Sequence, residues 1–404
     1  MKTIKELYRI GHGPSSSHTM GPRIAAERFA QQFSTPPARF QVDLYGSLAN
    51  TGKGHFTDVA ILEELSPIAP TEIVWHNDKR LPFHPNGMIF YAFDSNAQQI
   101  KEWEVYSIGG GALAEPSAEP QVEPSDSLYP FSNIAEIQQW CKTTGKTFWE
   151  CVNEFEDDDI WEYLSKVWMT MRDTVERGLA NEGVLPGGLA VRRKASTYYV
   201  KAKGFTDTLR NRGLVYSYAL ATSEENASGG LVVTAPTCGS SGVLPAVLYY
   251  LEESRGFSEI RILRALATAG VFGNMVKRNA SISGADVGCQ GEVGVACAMA
   301  AAAACQLFGG TPAQIEYAAE MGLEHHLGLT CDPVCGMVQI PCIERNAFAA
   351  ARAMDSNIYA TFSDGNHSVS FDKVVEVMKQ TGHDLPSLYK ETSLGGLATL
   401  YNPK

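Results

Sequence analysis

From residue 20 to residue 33 the apolar side chains Ile24, Ala25, Phe29, Ala30 and Phe33 recur at helical intervals, which predicts an amphipathic helix. Phe40, Val42 and Leu44 then alternate with Gln41, Asp43 and Tyr45, the period of a half-buried strand. The glycine-bearing stretch 46–55 predicts a loop, and the residues through Ile61 and Leu62 a short helix. The segments 72–75, 88–93 and 102–108 predict three more strands. This mixture of periods predicts an α+β domain over residues 1–113.

The pattern changes after Gly111. Residues 114–132 carry four prolines among acids and serines and read as a linker or surface loop. Beyond them helical spacing dominates: Ile134, Ile137, Trp140 and Cys141 share one face, and Trp161, Leu164, Val167 and Trp168 another. The segments 243–251, 260–272, 293–308, 312–321 and 345–354 are further helices, and few strands are expected. Residues 133–404 therefore predict an all-α C-terminal domain. A chain of 404 residues is also long for a single core.

Composition narrows the function classes. With 44% hydrophobic residues, 19% charged residues and a formal net charge of −12, the chain has no basic surface for nucleic acid. The short cluster Arg192, Arg193 and Lys194 reads as a solvated face. The N-terminal residues scatter charges among apolar positions and lack the apolar core of an export signal. The longest apolar run, 293–308, is mostly alanine, is interrupted by Gly294 and Gln306, and is too short to span a bilayer. A cytoplasmic protein with no membrane partner and no nucleic-acid partner is expected.

All nine cysteines fall in the helical part, seven of them from position 238 onward. A disulfide framework is not expected in a reducing compartment. Cys141, Cys151, Cys297 and Cys305 sit on predicted helices and read as small core residues. Cys289, Cys331 and Cys342 differ. They lie in GADVGCQGEVG, LTCDPVCG and QIPCIERNAF, each at a predicted helix boundary where backbone amides favour thiolate. Their spacing, C-x41-C-x10-C, is not a compact motif, and Cys335 competes as a ligand. On residue types alone, metal binding and plain burial both stay open.

Two N-terminal strings offer polar chemistry. GPSSSHTMGP brings Ser15, Ser16, Ser17, His18 and Thr19 to a turn before a helix, where free N–H groups can take a carboxylate. The same pattern also fits a helix cap by Ser17 or Thr19. GSLANTGKGHFTD offers Ser47, Asn50, Lys53 and His55 between a strand and a helix. Either histidine titrates near neutrality and can serve as a base, or can be an ordinary loop residue. Asn86, in the turn His84–Gly87, faces a ligand or simply closes a turn.

Taken together, these strings resemble the iron–sulfur L-serine dehydratases. NASISGADVGCQGEVGVACAMAAAA, EHHLGLTCDPVCGMVQIPCIERNAF and APTCGSSGVLPAVLYY are similar to that family's α region. RIGHGPSSSHTMGP and GSLANTGKGHFTD are similar to its β region, in the single-chain β-then-α order. The resemblance implies an L-serine ammonia-lyase that makes pyruvate and ammonia, a step in amino-acid catabolism and gluconeogenesis. It implies a β domain over 1–113, similar in fold to the allosteric substrate-binding domains of some dehydrogenases, a linker over 114–132 and an α domain over 133–404. It implies an oxygen-sensitive [4Fe–4S] cluster held by Cys289, Cys331 and Cys342, one iron being open to substrate, with Cys335 and Cys238 nearby and not ligands. An open iron acts as a Lewis acid, whereas a four-thiolate cluster is closed. His18 and His55 become the acid–base pair, and Ser15, Ser16, Ser17, Thr19, Lys53 and Asn86 the substrate contacts. No pyridoxal phosphate is implied, since no Schiff-base lysine stands beside a phosphate loop. A homodimer is the base-rate expectation. Many family members end in a cysteine that reaches the open iron at rest. This sequence has none after Cys342, so that feature does not carry over.

Overall fold

The strand predicted around Phe40 lies inside a five-stranded sheet, flanked on both sides by partners. In the computed structural model, which describes residues 1–116, 127–392 and 395–400, β1 is Ile10–His12, β2 Arg39–Tyr45, β3 Thr71–His76, β4 Gly87–Phe93, β5 Gln99–Ser107, β6 Leu113–Ala114 and β7 Leu231–Val233. The sheet order is β3-β2-β4-β5-β6. Among the described strands only β2 and β3 run parallel, and they need a crossover, which the helices Gly46–Thr51 and Thr57–Leu65 supply. Phe40, Val42 and Leu44 all point to the buried face, as the alternation requires. They pack with Phe29 of the helix Gly21–Ala30 and with Phe90 and Val105, while Phe29 also stacks on Trp103. The opposite face carries Asp43, whose carboxylate meets His76 Nε2 at 2.8 Å.

Two departures from the sequence pattern shape the site. The stretch 46–55 begins as a helix, Gly46–Thr51, its first turn anchored by Ser47 N–H donating to the Pro85 carbonyl. The first residues do not belong to the sheet. Met1, Ile4, Leu7 and Tyr8 are buried in the helical core, and β1 pairs antiparallel with β7. Gly13 follows β1 directly, and a Cβ there would lie 2.2 Å from Asn226 Oδ1. The close approach that only glycine permits lets Asn226 Nδ2 donate to the Pro14 carbonyl at 2.9 Å. The serine-rich turn is thus fixed to the helical body rather than to its own sheet.

Among the described residues the second part is helical apart from β7. The alanine-rich helix Val293–Leu307 is buried along its length except at Gln306. Small side chains let four helices pack on it: Val243–Arg255, Glu259–Asn279, Pro312–Glu324 and Cys342–Phe362. Cys289 sits in the 3-10 turn Gly288–Gln290, Cys331 on a loop, and Cys342 at the first residue of the helix Cys342–Phe362. Among the described residues no single helix is long and apolar enough to cross a membrane. The basic cluster departs from expectation: Arg192 is exposed, but Arg193 turns inward, donating to Glu225 Oε1 at 2.8 Å and to Ser228 Oγ at 2.8 Å. Of the proposed linker 114–132, residues 117–126 lie outside the described residues.

Candidate active site

The histidine of the serine turn is entirely buried. Ser15 Oγ caps the turn by accepting from His18 N–H at 3.0 Å, and Thr19 Oγ1 accepts from Ser15 N–H at 3.1 Å while donating to the His55 carbonyl at 2.7 Å. Capping therefore falls to Ser15, and Thr19 locks one string to the other. Thr57 Oγ1 donates to the His18 carbonyl at 2.6 Å. These bonds bring the two rings to 4.6 Å between centroids.

Each ring is fixed by its partners. His18 Nδ1 faces Ser17 Oγ at 2.9 Å and Glu391 Oε1 at 3.1 Å, and His18 Nε2 faces Ser47 Oγ at 3.0 Å. Ser47 Oγ gives its own proton to the Glu391 carbonyl at 3.2 Å, so both nitrogens of His18 meet acceptors. His55 Nδ1 lies 3.0 Å from the Thr51 carbonyl, which can only accept. Its proton is therefore on Nδ1, and Nε2 has no hydrogen-bond partner among the described residues. Burial first, and then the neighbouring His18, push the His55 pKa down to about 3. Burial alone would raise Glu391, but His18, His55 and the Ser17 hydrogen bond hold it at about 2.

On the other side, Cys289, Cys331 and Cys342 converge. Ligand atoms of Cys289, Glu292 and Cys331 lie within 4.8 Å of one another, a group able to bind a metal. Glu292 Oε2 is 3.6 Å from Cys289 Sγ and 3.7 Å from Cys331 Sγ, and its Oε1 accepts from Thr237 Oγ1 at 2.8 Å. Cys342 lines the same cavity as both cysteines. The Cys289 thiol and burial push Cys331 well up, and burial, then Cys289, does the same to Cys342. Arg345, one turn along the helix from Cys342, donates to the Thr330 carbonyl at 2.6 Å. Burial opposes its charge, but Cys289, Cys342 and Cys331 outweigh that and raise its pKa. Soft sulfur donors backed by a cation suit iron–sulfur or zinc binding rather than a hard cation.

The two halves share one cavity. Pro14, Ser15 and His55 line it from the N-terminal strings, and Cys289, Cys331 and Cys342 from the helical part, with Glu292 and Glu391 between. Gly54 seals the contact: a Cβ there would lie 2.9 Å from the Gly336 carbonyl oxygen. Other candidates lie elsewhere. Lys53 is exposed, its ammonium 5.6 Å from the centre of the Trp75 ring. Asn86 is fully buried, its Nδ2 donating to the Ser107 carbonyl at 3.3 Å and its Oδ1 unpartnered among the described residues. Ser16 is buried beside its neighbours. Cys335 is exposed at a left-handed φ of 54°, and Cys238 is buried against the Met20 sulfur at 3.7 Å.

The serine dehydratase alpha chain pattern matches residues 79–398, and the serine dehydratase beta chain pattern matches residues 3–73. The chain belongs to the serine dehydratase family. It is 42% identical to an L-serine dehydratase of Streptomyces coelicolor, over 98% of this chain and 98% of that one. It is 40% identical to L-serine dehydratase 2 of Escherichia coli and 37% identical to an L-serine dehydratase of Helicobacter pylori, again over 98% of both chains in each pair. In this family member, Glu292, Arg345 and Glu391 are site residues that sequence reasoning missed. Glu292, three residues after Cys289, was visible as an acid beside a candidate ligand. Glu391 gave no local signal, because its partners lie more than 340 positions away.

Proposed function

We propose that this chain is an L-serine ammonia-lyase that eliminates water from L-serine and releases pyruvate and ammonia. The observation that carries the reading is the single cavity walled by Ser15 and His55 on one side and Cys289, Cys331 and Cys342 on the other. An α,β-elimination needs a base at one carbon and help for a poor leaving group at the next, and the cavity supplies different chemistry on its two walls.

Cys289, Cys331 and Cys342 would hold a [4Fe–4S] cluster, and three sulfur donors leave it short of a closed set. When bound, that group supplies a Lewis acid for the departing hydroxide. The chain's own residues do the rest. The Ser15–Ser17 turn takes the substrate carboxylate, and Thr19 holds the turn in shape. His55 is the base: it is neutral, its proton sits on Nδ1, and its Nε2 lone pair is free for the α-proton. His18, bonded at both nitrogens, sits against Glu391. The α-proton and β-hydroxide leave as water, aminoacrylate tautomerises to the imine, and hydrolysis gives pyruvate and ammonia. Lys53 has no part in this scheme, and Asn86 supports the turn below Ser47.

We assign the β unit to residues 1–113 and the α unit to 133–404, with 114–132 as linker. A cytoplasmic homodimer is the working assembly, supported by the large exposed side chains Phe348, Tyr359 and Phe362 on one helix. The test is anaerobic purification with iron and sulfide quantitation, followed by a pyruvate assay with L-serine and a 2-oxobutanoate assay with L-threonine. Iron-loaded protein that makes no pyruvate contradicts the reading.

A further inference from the structure

We infer that Glu391 is the acceptor for the α-ammonium group of the amino-acid substrate, an assignment that rests on the function proposed above. An amino acid enters as a zwitterion, so a site that binds its carboxylate must also place an anion beside it. Glu391 meets that need by elimination and by position.

Three carboxylates stand at or beside the cavity: half-buried Glu292 and buried Glu391 line it, and buried Asp332 follows Cys331 in the chain. Glu292 spends one oxygen on Thr237 and holds the other against two sulfurs. Asp332 accepts from Thr330 Oγ1 and from the Leu397 N–H, both at 2.8 Å, and faces Arg345 at 3.7 Å. Glu391 uses only Oε1, which Ser17 Oγ and His18 Nδ1 each approach to 3.1 Å. Among the described residues its Oε2 is buried without a partner, although the residue belongs to the cavity wall. A buried carboxylate oxygen left without a donor is costly, and an arriving ammonium supplies three. The contact with Ser17 sets this free oxygen next to the turn assigned to the substrate carboxylate.

The backbone is built to hold it there. Glu391 has a left-handed φ of 46°, an arrangement that persists only where its surroundings enforce it. They do so from both sides. Ser47 Oγ holds its carbonyl, and Cys331 ties down the flanking residues, donating to the Tyr389 carbonyl at 2.8 Å and accepting from Thr392 N–H at 3.2 Å. One short segment thus connects the ammonium site, the histidine pair and a cysteine loop.

The test compares L-serine with L-glycerate, which keeps the carboxylate and the β-hydroxyl but has a hydroxyl in place of the ammonium. In iron-loaded full-length protein, Glu391→Gln should raise the KM for L-serine by about 30-fold or more, while the inhibition constant of L-glycerate stays unchanged. Glu391→Asp, which keeps the charge but retracts it, should show a smaller loss that is still confined to serine. Equal losses for both ligands in either variant, or no loss for serine, overturn the assignment. If Glu391→Gln does not retain iron, the Glu391→Asp comparison decides alone. Should wild-type protein bind serine without turning it over, the proposed reaction fails, and equilibrium dialysis of the same two ligands still tests the ammonium site.

Discussion

The imidazole rings of His18 and His55 lie 4.6 Å apart, yet they arrive from separate strings of the chain and make entirely different hydrogen bonds. Two imidazolium ions at that distance repel, so the pair divides the labour: His18 sits against a carboxylate, and His55 stays neutral in a buried site. Replacing His55 with Gln should lower kcat about 10²- to 10⁴-fold while iron content holds, as loss of a general base does. Steady-state pyruvate formation with iron quantitation on the same sample checks this. Full activity in that variant would move the base elsewhere.

The same pair makes stability depend on pH with a definite sign. His55 is held at about 3 against an ordinary 6.5, and Glu391 at about 2 against 4.5. Between pH 6.5 and 3 the unfolded chain binds a proton at His55 that the folded chain refuses, so stability is complete above that window and falls as pH drops. Glu391 adds a loss of the same sign below pH 4.5. Denaturant unfolding of cofactor-free protein at pH 7, 6, 5 and 4 should show this decline. In His55→Gln the slope below pH 6.5 should flatten by about 1.4 kcal/mol per pH unit. An unchanged slope contradicts a neutral, buried His55.

The cysteines should separate cleanly into two groups. Cys289→Ala, Cys331→Ala and Cys342→Ala should each abolish iron binding, since each removes one of three donors from a single cavity. Cys335→Ala should keep its iron, because Cys335 is exposed and does not line that cavity. Iron and sulfide assays after anaerobic reconstitution read the result directly. Loss of iron in Cys335→Ala would make it a fourth ligand and close the site.

Gly13 tests the attachment of the serine turn to the helical body. A methyl group there meets Asn226 Oδ1 at 2.2 Å and the Asn226 carbonyl oxygen at 2.5 Å. Gly13→Ala should cost about 1–3 kcal/mol of stability, the range for overpacking, and should raise the KM for serine as the turn shifts. A wild-type Tm together with wild-type kinetics contradicts the proposed role of this contact.

Much of this was legible in the sequence, for reasons that differ by element. Phe40, Val42 and Leu44 announced their strand because a half-buried strand must alternate, and the alanine-rich run announced the buried helix Val293–Leu307 because alanine suits close helix packing. The converging cysteines were singled out by their helix-boundary settings and by the resemblance, not by spacing. What stayed hidden depends on long-range contact. The pairing of β1 with β7 joins residues more than 200 positions apart. The helix Gly46–Thr51 looked like a loop because glycine and asparagine lower helix propensity, while anchoring by Pro85 overrides it. Arg193 read as a surface cation because its buried partner Glu225 is 32 residues away. The resemblance made Lys53 a substrate contact; its side chain is exposed, with its ammonium 5.6 Å from the centre of the Trp75 ring.

In the proposed reaction, a three-sulfur iron site faces a neutral histidine across one cavity. Mössbauer spectroscopy of anaerobically reconstituted, ⁵⁷Fe-loaded protein, with and without L-serine, tests it most directly. One iron in four should change its isomer shift and quadrupole splitting when serine is added, with pyruvate formed in the same tube. Four irons that do not respond to serine, or a protein that takes up no iron while still making pyruvate, would contradict it.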